Sequence, residues 1–398
     1  MILKRAFTIN TFVSILSFIL APFLSMMVGL LRMKNERNLW MLFFFYILFG
    51  LCFTINLDQG FDSERYVAKF LLISSDNLKD IYLSNIMIDK KAGDVYFPIV
   101  AWITKLIAGK NYHVMFALFA LVFALFTINT LKIFYEKACK VNALGYSLMV
   151  FLLIINNSIF NINGMRFWTA AWILAYAILS IYVNKSRSGY IWLAVTPFVH
   201  LTFIYPIIVF AIAKFVGHFE KPWIILLFIS APFSFLSLEL IPSIAQFVPS
   251  MYMHKFNFYT DQHYIIERAS GTGFKIVQDS LQFCLMMWEI ICLYKIYLFR
   301  KNKDWKYNLL FRFTIIFIAL SNFFSAIPSF GRFVYVGFPL FLFLIWINQD
   351  KQFYQKAFML LPVIMSFTIM YTIFKQLVTV LPSDFYYSNV VFLVSQYI

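Results

Sequence analysis

The sequence predicts an all-α integral membrane protein with about twelve transmembrane helices and one amphipathic helix in the outer interface. Three observations predict it. Hydrophobic residues make up 62% of the 398-residue chain and charged residues 13%, with a mean hydropathy of +0.78, which leaves too little polar surface for a soluble fold. Apolar runs close to the about 20 residues that cross a hydrocarbon core recur from Thr11 to Leu31, from Leu39 to Leu57 and onward, between short polar spacers. Stretches such as 144–160 and 357–374 are apolar on every face, whereas a transmembrane β-barrel would alternate in segments of about ten residues.

The first run follows Lys4 and Arg5, as in a signal peptide. It is longer than an h-region, lacks a small-residue cleavage site and leads into another span, so it reads as helix one. Spans are then expected near 8–31, 39–57, 113–133, 144–160, 167–183, 190–200, 203–217, 223–241, 281–299, 308–326, 332–347 and 357–379. The pair around His200 is short and flanked by Pro197 and Pro206, the pattern of a broken or re-entrant hairpin that is buried in protein or lines a cavity. The chain reads as a single polytopic domain over 1–398, with long outer loops at 58–112 and 242–280. Segment 95–109 carries Pro98 and Lys105 and spaces Phe97, Val100, Ile103 and Ile107 helically, so it is expected to lie in the outer interface without crossing.

Charge sets the orientation, because cationic short loops stay cytoplasmic. Arg32/Lys34/Arg37, Lys132/Lys137/Lys140, Lys185/Arg187, Lys214/Lys221, Lys295 to Arg312 and Lys351/Lys356 hold 18 of the 33 basic residues and fall on one side if 95–109 does not cross. Both termini then face outside. The net charge of +15 is mostly this topology signal, and no compact basic domain exists to bind nucleic acid. Cys52, Cys139, Cys284 and Cys292 form no CxxC or Cys/His cluster and read as packing residues.

The outer side collects a polar set at loop–helix junctions: Asp58, Asp62, Arg65 and Tyr66 in DQGFDSERY; Asp94 and Tyr96; Asn161, Asn163, Gly164 and Arg166 in NINGMRF; His200; and Gly331-Arg332. Ionisable groups at membrane depth are costly, which makes such a set a functional candidate. Each member has a plainer reading: headgroup snorkelling for the arginines, a capped structural histidine, solvated loop carboxylates. Convergence on one side favours a site.

These motifs, in this order, resemble the EpsG-like family of bacterial polysaccharide polymerases, related in role to the Wzy O-antigen polymerases. The likeness rests on a G-x-D-x-x-x-Y segment (Gly60 to Tyr66), an acidic-aromatic-proline helix start (Asp94 to Pro98), N-G-x-R (Asn163 to Arg166), a histidine in a broken apolar hairpin (Phe198 to His200) and R-[FY]-x-x-Y (Arg332 to Tyr335). It departs where the glutamine often found after the arginine is Phe167, and where the small polar residue two after the histidine is Thr202.

The resemblance implies a multi-pass fold compatible with a GT-C-like arrangement. It also implies glycosyl transfer between oligosaccharide repeat units carried on undecaprenyl diphosphate, at the outer, periplasmic or exterior face of the bacterial inner membrane. Arg166 and Arg332 then offset charge on the departing diphosphate, and His200 or Asp62 takes the acceptor proton. Asp58, Arg65, Tyr66, Asp94, Asn163 and Tyr335 are expected to bind substrate. No cofactor is implied; Asp58 and Asp62, four apart, lack a third metal ligand, and metal-independent catalysis is expected. The expected partners are the lipid-linked oligosaccharide, membrane lipid and a chain-length regulator protein. A flippase or exporter of the same lipid-linked sugars and a polysaccharide-to-lipid ligase remain alternatives. An exporter would place charges mid-helix, and here Glu239, Glu289 and Lys375 are few beside the one-sided outer set.

Overall fold

Long apolar runs can satisfy their backbone in lipid only as helices or closed barrels, and among the described residues there are helices and no strand. The computed structural model describes residues 9–31, 33, 38–55, 62–73, 77–89, 95–137, 143–240, 243, 253, 257, 273–300, 305–327, 330–371 and 381–398. The first expected span is two helices, α1 (Ile9–Leu20) and α2 (Pro22–Leu30), because Pro22 cannot donate a backbone hydrogen bond and instead begins a new helix at Ala21. Then come α3 (Leu39–Leu51), two helices where only loop was expected, α4 (Asp62–Leu72) and α5 (Leu78–Asp89), and α6 (Tyr96–Ala108) over the expected helix. The 95–109 segment is therefore helical as expected, packing on α5 and α7, with Lys105 Nζ donating to the Ile73 carbonyl at the end of α4.

Helices α7 (Tyr112–Glu136), α8 (Ala143–Asn156) and α9 (Met165–Tyr182) form the centre with α3. The hairpin α10 (Ser188–Val199) and α11 (Ile204–Phe215) is broken by a 3-10 turn at Leu201–Phe203. Its arms do not turn back at mid-depth, as a re-entrant pair would. Gly189 lies against Ala177 and Ile181 near the end of α9, while His200 meets Phe167 at its start. Next, α12 (Glu220–Ser230) stops short and α13 (Leu236–Glu239) follows a turn, so the 223–241 span is interrupted. Of the expected 242–280 loop, 273–280 belongs to the long α14 (Gly273–Arg300) and nearly all the rest lies outside the described residues. The bundle closes with α15 (Asn308–Phe323), α16 (Arg332–Trp346), α17 (Gln352–Ile364), α18 (Ser366–Tyr371) and an unexpected C-terminal α19 (Val390–Tyr397).

Among the described residues, five helical segments are long and apolar enough to cross a membrane singly: 112–136, 144–162, 165–182, 280–300 and 308–326. Five shorter apolar ones, including α3, α10 and α16, pack beside them. Alternation of helix direction gives the bundle two distinct ends. One end carries Arg166, His200 and Arg332; the C-terminus returns to it, where Asn111 Nδ2 donates to the Tyr397 carbonyl at 2.6 Å. The turns at the other end hold the described members of the basic clusters, among them Lys137, Lys185, Lys221, Arg300, Arg312 and Lys351.

Candidate active site

The site begins with a kinked approach to α9. Ser158 caps a 3-10 turn over Ile159–Gly164 by accepting from Phe160 N, and Asn161 leaves helical geometry inside it. Gly164 closes the approach: a Cβ there would lie 3.3 Å from the Trp168 ring, so glycine lets that ring lie against the turn. Arg166 is thereby held in the first turn of α9. Its Nε donates to the Tyr66 hydroxyl at 2.8 Å, and its guanidinium lies 4.8 Å from the centre of that tyrosine's ring. Tyr66 is buried and stacks on Phe97 at 5.6 Å, so α4 and α6 together fix the arginine.

Phe167, next in sequence, is the hub. The Arg332 guanidinium stands 5.6 Å from its ring centre, and the His200 ring meets it edge-on at 5.3 Å and 87°. Phe203 and Phe333 pack on the same ring at 5.2 and 5.4 Å, and all three phenylalanines are buried. They bring together the N-terminal ends of α9, α11 and α16. Helix N-termini carry partial positive charge and attract anions. Arg166 and Arg332, each in a first turn, add full charges to that field. Arg332 is exposed and has no acidic partner among the described residues. An arginine at this position is unfavourable for its own helix.

His200 caps α10 in extended backbone, and its Nδ1 is 2.8 Å from Thr202 Oγ1, which fixes the ring plane. The backbone N of Val95 donates to the Phe198 carbonyl at 3.0 Å, tying the start of α6 to the hairpin tip. Tyr335 donates from its hydroxyl to Gln282 Oε1 at 3.3 Å and accepts at its carbonyl from Asn156 Nδ2 at 2.8 Å, so it links α8, α14 and α16 beneath Arg332.

The structure therefore brings Tyr66, Arg166, His200, Arg332 and Tyr335 to one end of the bundle. Asp62 and Arg65 share α4 with Tyr66 but pair with each other at 3.7 Å on its exposed side. Asp58 and Asp94 lie outside the described residues, as does the side chain of Asn163. Among the described residues no three His, Cys, Asp or Glu side chains group as a metal site. Sequence reasoning missed Phe167 as a contact residue and Thr202 as the histidine's partner, although both appeared as departures from the family pattern.

A family model described as the EpsG family matches residues 37–388. The chain belongs to the EpsG family. No curated protein and no solved structure matches it significantly. EpsG is a Wzy-like polymerase family, and the matched span takes in every helix that builds the site, from α4 to α16. Membership and the multi-pass bundle make this a polysaccharide polymerase-like membrane protein acting in polysaccharide biosynthesis.

Proposed function

We propose that this EpsG-family chain joins oligosaccharide repeat units carried on undecaprenyl diphosphate, at the outer face of the bacterial cytoplasmic membrane. The observation that carries this is the convergence of Arg166 and Arg332, each in the first turn of a helix, around Phe167, with His200 against the same ring. The acceptor sugar's hydroxyl oxygen bonds to the donor's anomeric carbon as that carbon's bond to the diphosphate oxygen breaks. The hydroxyl proton passes to a base, and the lipid diphosphate departs with the electron pair. Two arginine forks and three helix N-termini suit the growing negative charge. His200 is assigned the base, and Asp62 is the second candidate. Placement of the site at the end away from the basic loops favours an enzyme of one face over an exporter, which needs access from both.

The test is a polysaccharide ladder from cells lacking the chain, complemented at matched membrane abundance. Wild type should restore many repeats. Arg166→Ala and Arg332→Ala should leave a single repeat on its carrier, since losing one such donor costs about 10²- to 10³-fold in rate. Long chains in the null strain would sink the proposal. A null strain whose single repeat stays at the cytoplasmic face would favour the exporter.

A further inference from the structure

The opposite end of the bundle holds a second charged constellation, outside the candidate site. Glu220, at the start of α12, accepts from Arg300 of α14 and from Arg312 Nε of α15, the latter at 2.8 Å. Arg300 is committed to structure: its side chain is 4% exposed, it donates to Asn308 at 2.6 Å and it lies 4.1 Å from the Phe311 ring centre. Arg312 is 29% exposed, and its terminal nitrogens make no bond to a described residue. Lys221 is exposed and has no acidic partner among the described residues. These groups line an open cavity of about 490 Å³ with Phe219 and Tyr297. Among the described residues three cations face one carboxylate there, a surplus of positive charge with donors left to give.

Its apolar surroundings say what kind of anion fits. Phe219, in the wall, is 59% exposed. Ile225, one turn beyond Lys221 on the same face of α12, is 62% exposed. From Tyr297 an aromatic track runs along the α12–α14 groove, through Tyr294 stacked at 6.3 Å, to Phe228, edge-on to Tyr294 at 5.1 Å. A charged pocket opening onto a partly exposed aromatic track matches an amphiphile with an anionic head.

We infer that this cavity binds the phosphate headgroup of an anionic phospholipid from the cytoplasmic leaflet, with its acyl chains along the Tyr294–Phe228 groove. The basic loops at this end place it in that leaflet. Arg312 and Lys221 supply the donors to phosphate, and Glu220 orients Arg312 while holding Arg300.

The experiment titrates the purified full-length chain in detergent with phosphatidylglycerol, phosphatidylcholine and soluble glycerol phosphate, reading bound lipid by native mass spectrometry and the melting temperature in parallel. Wild type should prefer phosphatidylglycerol over phosphatidylcholine. Lys221→Gln with Arg312→Gln should lower that preference about thirtyfold, on the scale of two lost surface cations. Arg300 stays in place so that Glu220 keeps a partner. Lys221→Gln alone, at an exposed residue, should give a smaller loss in the same direction and guards against misfolding of the double variant. Glycerol phosphate binding as tightly as the lipid would keep the phosphate site and reassign its source to a soluble ligand. Equal binding of the two lipids by wild type, or an unchanged preference in both variants, would overturn the inference.

Discussion

The Tyr66 hydroxyl and ring hold Arg166 from 100 residues away in sequence. Tyr66→Phe keeps the stack on Phe97 and the ring beneath the guanidinium while removing one charge-assisted hydrogen bond. Polymerisation by membranes of equal protein content should fall about tenfold, the scale of losing one such bond. An unchanged rate would mean that the ring alone positions Arg166. A loss of the protein itself would make Tyr66 structural. The two arginines were legible in the sequence because cations on the outer side oppose the positive-inside trend, so each needs a reason. Phe167 was not legible. With 50 phenylalanines in the chain, one more in an apolar helix carries no information until its neighbours in space are known. Glu289 shows the same limit from the other direction. It stood among the few charges in the predicted spans, but only the structure makes it fully buried with neither oxygen hydrogen-bonded to a described residue. Such a group costs stability without return, so Glu289→Leu should raise the melting temperature in detergent by the equivalent of about 2 kcal/mol. A stable variant that has lost polymerisation would instead assign Glu289 a role in function.

Helices were legible wherever hydropathy alone decides, as in α7, α9 and α15. Their interruptions were less so: Pro22 and Pro232 stand at the breaks, but a proline in an apolar run can kink a span as well as end it. The 58–94 part of the first outer loop was read without a helix, since its apolar content is modest. Yet α4 buries Ser63, Tyr66, Val67 and Phe70, which recur at helical spacing and so mark one amphipathic face. In lipid, helices associate through close packing at small residues more than through hydrophobicity, and the α3–α7 pair shows how tightly. A Cβ on Gly50 would stand 2.5 Å from the Phe116 carbonyl oxygen and 2.6 Å from Ala120 Cβ. Neither is the tip of a flexible side chain, so the two helices must separate to admit it. Gly50→Ala should cost about 2 kcal/mol, seen as a lower melting temperature and reduced membrane abundance. Gly29→Ala is the internal control, because its nearest neighbour is a methionine side-chain tip at 3.5 Å. Equal behaviour of the two variants would mean that α3 and α7 do not pack this closely.

At the scale of the whole molecule, charge distribution and helix direction agree. Every described turn that holds a basic cluster lies at the end of the bundle opposite Arg166 and Arg332, although the clusters are scattered from the first third of the chain to the last. That agreement depends on α6 not crossing; were it a span, every later cluster would change sides. Orientation in the cell is therefore measurable with two reporters. In a chain whose four cysteines are replaced by alanine, Ser383→Cys stands at the end bearing the candidate site and Asn184→Cys in the turn between α9 and α10, both at exposed positions. A membrane-impermeant maleimide should label Ser383→Cys in intact cells or spheroplasts and Asn184→Cys only after lysis. Labelling of both from outside would mean that the ends do not lie on opposite sides, and with that the non-crossing α6 would fail. The reverse pattern would put Arg166, His200 and Arg332 in the cytoplasm, where nucleotide sugars are available. It would remove the reason for a lipid diphosphate as the leaving group, and with it the proposed chemistry.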